Sequence, residues 1–197
     1  MIEKLALNIV SQMEKQRIIG ESNSEYYGYA LITMIENTLT VGSVLFLGFL
    51  LGEFLHTVCF WIFFLSLRKR TGGFHANKFW QCYFVTVITY CLVITAVPVF
   101  CRNLTVMYGM LFAAVIIIWV IGTVNHPNMD MSEEELQESR KAARLLVLME
   151  LMIIAALSCL KADIFYIVYM SIAVILCAFL MCLAKFIKQE VRKNEKK

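Results

Sequence analysis

A run of about forty mainly apolar residues, at positions 26–67, is the feature that most constrains how this chain can fold. A helix that crosses a bilayer needs roughly 20 predominantly apolar residues, so this run is long enough for two spans with a tight turn near Gly52 and Glu53. Further apolar runs follow, and apolar residues make up 60% of the sequence. The pattern excludes an ordinary soluble domain and predicts an all-α, polytopic membrane bundle of about six transmembrane helices.

The same pattern divides a single membrane-embedded domain, residues 1–197, into spans and loops. Ser132 and Glu135 have the spacing of a capping box, so we expect a helix to begin there and to continue into the fifth span. The predicted transmembrane segments are residues 26–50, 51–67, 79–100, 104–122, 142–160 and 164–184, with a basic loop at 68–78, a second loop at 123–141 and a basic tail at 185–197.

The first residues predict an amphipathic helix and not a span. Between positions 2 and 18, apolar residues recur at helical spacing opposite charged and amide residues. This pattern is typical of a helix that lies on a membrane face, although docking of an amphipathic peptide would explain it too. Ser22 and Glu25 form a second possible capping box for the next helix. That helix is expected to enter the membrane through a belt of tyrosines, Tyr26, Tyr27 and Tyr29.

The distribution of positive charge predicts the orientation. If the amino terminus is cytoplasmic, six spans leave only Arg102 and Lys161 on the outer side, whereas the other basic residues of the loops and tail lie inside. This asymmetry satisfies the positive-inside rule. We therefore expect a multi-pass protein of the cytoplasmic membrane, with both termini and the 68–78 loop facing the cytoplasm.

A histidine and a cysteine, His75 and Cys82, lie close together among basic residues at the edge of the third span. A thiol is a nucleophile as its thiolate, and an adjacent imidazole with nearby positive charge is the common way to obtain one. On an unbroken helix their spacing would separate the two side chains by roughly 10 Å. Because Gly72 and Gly73 allow the backbone to turn, we expect His75 on a loop or a broken helix end and Cys82 in the first turns of the following helix.

The same residues have a plainer explanation, in which His75 is an interfacial histidine and Cys82 a small apolar membrane residue. The other six cysteines fall within or at the ends of apolar runs, outside any Cys-x-x-Cys pattern, and we interpret them as packing residues. No metal or other cofactor is predicted, because His75 and Cys82 lack two further ligands at zinc-like spacing. The net charge of +3 reflects membrane orientation and does not predict nucleic-acid binding.

Two acidic residues fall inside predicted spans, Glu36 in the first and Glu150 in the fifth. An ionisable group in the hydrocarbon layer is costly and usually faces protein or water. We expect both residues near the depth of Cys82, where either a polar chamber for a peptide or an interhelical hydrogen bond would explain them. Asn77, Gln81 and Glu36 are equally open candidates for a third residue that orients His75.

The chain resembles the accessory gene regulator protein B (AgrB) family of bacterial membrane cysteine peptidases. The resemblance rests on residues in matching order and spacing: Arg68, Gly73, His75, Ala76, Cys82 and Tyr83. It covers nearly the whole chain, including the amphipathic start, about six spans, the basic tail and the Asn-His-Pro-Asn sequence at 125–128. One departure is the acidic loop at Asp130 and 133–135, where more basic residues are expected.

The resemblance implies that the protein cleaves a short, AgrD-like precursor peptide and assists its cyclisation to an autoinducing peptide for quorum sensing. It implies that His75 is the general base and Cys82 the nucleophile, with supporting roles for Arg68 and Gly73. The expected partners are the precursor peptide and the lipid bilayer, and a homodimer suits a membrane peptidase of this size. No cofactor is implied.

Two other functions compete with this prediction. In a small membrane transporter or exporter, Glu36 and Glu150 would couple transport to an ion, but the chain lacks the internal repeats and glycine-broken helices that transporters use. A plain membrane cysteine hydrolase would cut the same peptide without closing a ring. The mass of the product separates the hydrolase from the cyclase.

Overall fold

The computed structural model of the chain describes residues 2–16, 20, 24–72, 79–125 and 131–187. Within these ranges every regular element is helical, which confirms the predicted all-α fold. The elements are α1 (Ile2–Lys15), α2 (Ser24–Leu50), α3 (Phe54–Thr71), α4 (Phe79–Arg102), α5 (Leu104–Ile121), α6 (Glu133–Cys159) and α7 (Ile164–Phe186). The Ser22–Glu25 capping box lies outside the residues whose structure and side chains are described.

Five of the described helices are long and apolar enough to cross a membrane: α2, α4, α5, α6 and α7. The structure therefore confirms a multi-pass helical membrane protein. The span predicted at 51–67 falls in α3, which is not among these five helices, because three basic residues occupy the last turn of its 18 residues. It is nevertheless part of the core, because Phe60, Phe63 and Leu67 are buried.

Helix α7 forms the centre of the bundle. In the apolar 18-residue stretch of α7, 67% of the residues are buried, whereas in that of α2, which lies at the periphery, 6% are buried. α7 packs against α3, α4, α5 and α6. α1 packs on α2 and buries Ala6 and Val10.

Short turns make α2 antiparallel to α3, α4 to α5 and α6 to α7. The Val124–Thr71 hydrogen bond joins the ends of α3 and α5, and the Arg144–Trp119 hydrogen bond places the start of α6 beside the end of α5, so consecutive helices from α2 to α7 alternate in direction. We call the end of the bundle where α3 and α5 finish and α4 and α6 begin the basic end. Arg68, Lys69, Arg70, Arg140 and Lys141 lie there, whereas Arg102 and Lys161 lie at the opposite end. Which side of the membrane the basic end faces stays a prediction from charge.

Helix α6 shows how local sequence sets an element's start. Ser132 accepts a hydrogen bond from the Glu135 backbone N–H at 3.3 Å, and the Ser132 N–H donates to the Glu135 carboxylate at 2.8 Å, so the predicted capping box is present. The acidic residues at 133–135 occupy the first turn, where the helix dipole favours negative charge. The helix then runs unbroken through the last part of the predicted 123–141 loop.

Helices α2 and α3 are in close contact at Gly48. A Cβ atom at this position would overlap the Thr57 hydroxyl and lie 2.9 Å from the Thr57 Cβ. The Thr57 side chain is held in place, because its Oγ1 lies 2.6 Å from the Glu53 carbonyl and 2.5 Å from the Tyr90 hydroxyl. Gly48 therefore allows α2 to pack beside a hydrogen bond that joins α3 to α4.

Gly48→Ala is expected to destabilise the bundle by about 1–3 kcal/mol, because the added methyl group overpacks a contact whose side chain is fixed. Gly109→Ala in α5 is the matched control, since no heavy atom lies within 4 Å of a Cβ built there. Thermal unfolding of both variants in detergent measures the difference. Equal midpoints would show that α2 and α3 do not meet as described.

Candidate active site at the basic end of the bundle

Cys82 lies in the first turn of α4, at the basic end, and its side chain is half-buried. The backbone carbonyl of Cys82 accepts a hydrogen bond from the Thr86 hydroxyl at 2.8 Å. The next residue, Tyr83, donates its hydroxyl to Ser43 of α2 at 3.0 Å. The start of α4, and with it the thiol, is thus fixed against α2.

The last turn of α3 carries a guanidinium, that of Arg68, at the same end of the bundle as this thiol. The half-buried Arg68 side chain donates to the Gly72 carbonyl, and the Gly72 N–H donates back to the Arg68 carbonyl at 3.2 Å. The Arg68 guanidinium lies within electrostatic range of both the Cys82 and the Cys177 thiols. Two of the residues singled out from the sequence, Arg68 and Cys82, therefore lie at the same end of the bundle and within electrostatic range of each other.

The end of α3 is clamped by the segment that follows α5. The Val124 N–H donates to the Thr71 carbonyl at 2.9 Å, and the Thr123 hydroxyl donates to the Arg70 carbonyl at 2.9 Å. Val124 and Thr71 are fully buried. The clamp leaves no room beside Gly72, because a Cβ there would lie 2.5 Å from the Val124 carbonyl oxygen.

Asn125 closes the base of the loop that follows the clamp. Its side-chain amide donates to the Met131 carbonyl at 3.2 Å, and its side-chain oxygen accepts from the Met131 N–H at 3.3 Å. The two ends of the 126–130 segment are thereby held together beside the end of α3. The resemblance pointed to residues 125–128, but no pattern in the sequence predicted that the preceding Thr123 and Val124 would contact α3.

A buried acid lies at the depth of Cys82. The Thr57–Tyr90 contact fixes the register of the antiparallel helices α3 and α4, and it places Ser66 level with Cys82. Ser66 Oγ lies 2.5 Å from Glu150 Oε1 of α6. Glu150 is 5% exposed, and its Oε2 has no hydrogen-bond partner among the described residues. The interhelical hydrogen bond considered for Glu150 is therefore present, whereas no sequence pattern indicated Ser66 as its partner.

Helix α7 holds the same part of α3 from another side. The buried Cys177 thiol donates to the Phe64 carbonyl at 3.6 Å. Like the six other cysteines, Cys177 is free. The last two turns of α3 are thus held by α6, by α7 and by the segment after α5.

An apolar groove of about 690 Å³ runs along α2 at this level. Thr38, Gly42 and Ser43 line it, together with apolar residues of α2 and with Ile9 of α1. Ser43 also accepts the Tyr83 hydroxyl, so the groove reaches the helix that carries Cys82.

The other candidate residues are placed as follows. Gly73, His75 and Asn77 lie outside the described residues. Gln81 is exposed on α4. Glu36 is partly exposed on α2. The Gly48–Thr57 contact places it level with the end of α3. Glu36 therefore lies roughly one helical turn nearer the basic end than Cys82. Glu36 also takes part in an interaction of its own.

Among the described residues, no three His, Cys, Asp or Glu side chains are grouped as metal ligands would be. His56 lies at the opposite end of the bundle, where its Nδ1 is 2.6 Å from the Glu53 carboxylate. Its ring stacks on Tyr169 with centroids 5.5 Å apart. His56 is thus a packed residue near the start of α3, far from Cys82.

Fold and site together define a polytopic membrane protein with a half-buried thiol and an anchored guanidinium, within electrostatic range of each other, at one end of a helical bundle. The chain belongs to the accessory gene regulator B family, whose model matches residues 2–185. Membership implies a role in processing an agr quorum-sensing peptide at the membrane. Comparison with curated proteins and with solved structures finds no match.

Proposed function

We propose that this protein is an integral membrane cysteine endopeptidase that removes the C-terminal tail of a short precursor peptide and assists cyclisation of the remaining fragment. The observation that carries the proposal is the position of Cys82. Its thiol is half-buried, lies in the first turn of α4 and is within electrostatic range of Arg68. Family membership and the spacing of His75 from Cys82 support the same function.

In the first step the Cys82 thiolate attacks a backbone carbonyl of the bound precursor. The carbon–nitrogen bond of that peptide group breaks, a thioester forms on Cys82, and the C-terminal tail leaves as an amine. His75 takes the thiol proton and returns it to the leaving nitrogen. Arg68 stabilises the negative charge that develops during the attack, together with the positive end of α4.

In the second step a thiol or hydroxyl within the bound fragment attacks the acyl carbon. A thiolactone or lactone bond forms, the bond to Cys82 breaks, and the Cys82 thiol is regenerated. Exchange of one thioester for another is nearly balanced in free energy, so the peptide nucleophile must be held close and water must be excluded. The apolar groove along α2, at the depth of Cys82, supports delivery of an amphipathic peptide from the bilayer.

The mass of the product tests this proposal. The substrate is a synthetic precursor taken from the short reading frame expected beside the gene, an amphipathic peptide with a central Cys or Ser and an acidic tail. Incubated with proteoliposomes of the protein, it is expected to yield the free tail and a fragment one water lighter than the hydrolysed product. A fragment of the hydrolysed mass would instead identify a plain hydrolase, and an intact precursor would contradict cleavage altogether.

A further inference from the structure

Glu150 and Ser66 form a buried contact that the chemistry above does not use. Ser66 Oγ lies 2.5 Å from Glu150 Oε1 and 2.9 Å from the Phe63 carbonyl oxygen. A serine hydroxyl has one proton to donate. The Phe63 carbonyl can only accept, so both contacts are satisfied together when Ser66 donates to Phe63 and Glu150, as the neutral acid, donates to Ser66.

This arrangement fits the surroundings of the carboxyl group. Glu150 is 5% exposed, and Oε2 finds no partner among the described side chains and backbone groups. A neutral acid would leave only a carbonyl oxygen without a partner there, whereas a carboxylate would leave a charge. A neutral glutamic acid in this position would act as a hydrogen-bond donor that joins α6 to α3.

The contact acts on the part of α3 that carries the candidate site. Ser66 precedes Arg68 by two residues and is level with Cys82 in the register of α3 and α4. Arg68 in turn lies within electrostatic range of Cys82 and bonds to Gly72, where α3 ends. A shift or rotation of α3 at Ser66 would therefore move the guanidinium relative to the thiol.

We propose that Glu150 is a positioning residue, which donates a hydrogen bond to Ser66 and thereby holds α3, with Arg68, at the depth of Cys82. The inference rests on the proposed function, because it assigns Glu150 to the same thiol site. Glu150 acts through Ser66 and touches neither the thiol nor the guanidinium. This role differs from proton transfer and from ion coupling, because position 150 then needs a hydrogen-bond donor and does not need a group that ionises.

Three variants test the proposal by cleavage of the synthetic precursor, measured per amount of monodisperse protein. Glu150→Leu removes the donor and is expected to lower kcat by roughly ten- to a hundredfold, because a misplacement of about 1 Å can cost that much. KM for the precursor should change less than about twofold, since neither residue binds the peptide. Glu150→Gln keeps an N–H donor for Ser66 and is expected to restore kcat to within about threefold of the original protein.

Ser66→Ala is the third variant and keeps the test valid if Glu150→Leu fails to insert. It should lower kcat as Glu150→Leu does, and the two substitutions combined should cost little more than either alone. Tyr108→Phe is the matched control. It deletes another interhelical hydroxyl contact of α6, to Ser158 at 3.0 Å, at the opposite end of the bundle, and is expected to leave kcat unchanged.

Two results would overturn the positioning role. Unchanged kcat in both Glu150→Leu and Ser66→Ala would show that the contact does not affect the site. A kcat for Glu150→Gln as low as for Glu150→Leu would show that the carboxyl group is needed for its ionisation. Both results differ from failure of the proposed function, which would appear as cleavage by Cys82→Ala.

Discussion

Cys82→Ala and His75→Ala are each expected to lower precursor cleavage by roughly a thousandfold or more while the protein stays inserted in the membrane. Loss of the nucleophile removes the covalent route, and loss of the base removes proton transfer, so each single substitution should cost nearly as much as both together. Release of the C-terminal tail, followed by mass spectrometry of reactions in proteoliposomes, measures the effect.

Cys91→Ala is the control for Cys82→Ala. Cys91 is another free cysteine of α4, but it lies farther along the helix and is exposed. Its loss should leave the rate unchanged, and alkylation of the Cys91→Ala protein should still abolish cleavage. If the Cys82→Ala protein cut the precursor at a comparable rate, the thiol would have no role in the chemistry and the site would have to be sought elsewhere.

The helical bundle could be predicted because it depends on local patterns. Apolar runs of span length predict the helices, and the Ser132–Glu135 spacing predicts the start of α6, where the structure shows both capping hydrogen bonds. The limits of α3 were harder to predict. The helix continues past the apolar run to Thr71, because Arg68–Arg70 are favourable at a helix C-terminus and Arg68 bonds to the Gly72 carbonyl.

The contacts around the site could not be predicted in the same way. The hydrogen bonds from Val124 and Thr123 to the end of α3 join segments about fifty residues apart. Their acceptors are two backbone carbonyls, and because every residue has a backbone carbonyl, no sequence pattern identifies them. The intramembrane acid Glu150 was visible as an unusual residue, but the pattern did not indicate which hydroxyl would meet it. Only the register of α3 on α4 and α6 places Ser66 there.

Gly72→Ala is expected to reduce cleavage by roughly ten- to a hundredfold, although the residue takes no part in the chemistry. Gly72 has φ 64° and ψ −144°, a region that is essentially restricted to glycine, so alanine would cost about 1–3 kcal/mol from the backbone alone. The added methyl group would also collide with the Val124 carbonyl oxygen. Either the end of α3 or the 123–124 segment must then move, and Arg68 loses its bond to the Gly72 carbonyl.

Gly52→Ala separates the effect of backbone strain from the effect of the collision with Val124. Gly52 also has a positive φ, of 73°, but no heavy atom lies within 4 Å of a Cβ built on it, and it lies at the opposite end of the bundle. It should lower the unfolding temperature in detergent with little effect on cleavage per folded protein, whereas Gly72→Ala should lower both. Of these two glycines, Gly72 is the one at which an added Cβ collides with Val124. If the Gly72→Ala and Gly52→Ala proteins cleaved the precursor at the same rate, the contact of Val124 with the end of α3 would not position the thiol site.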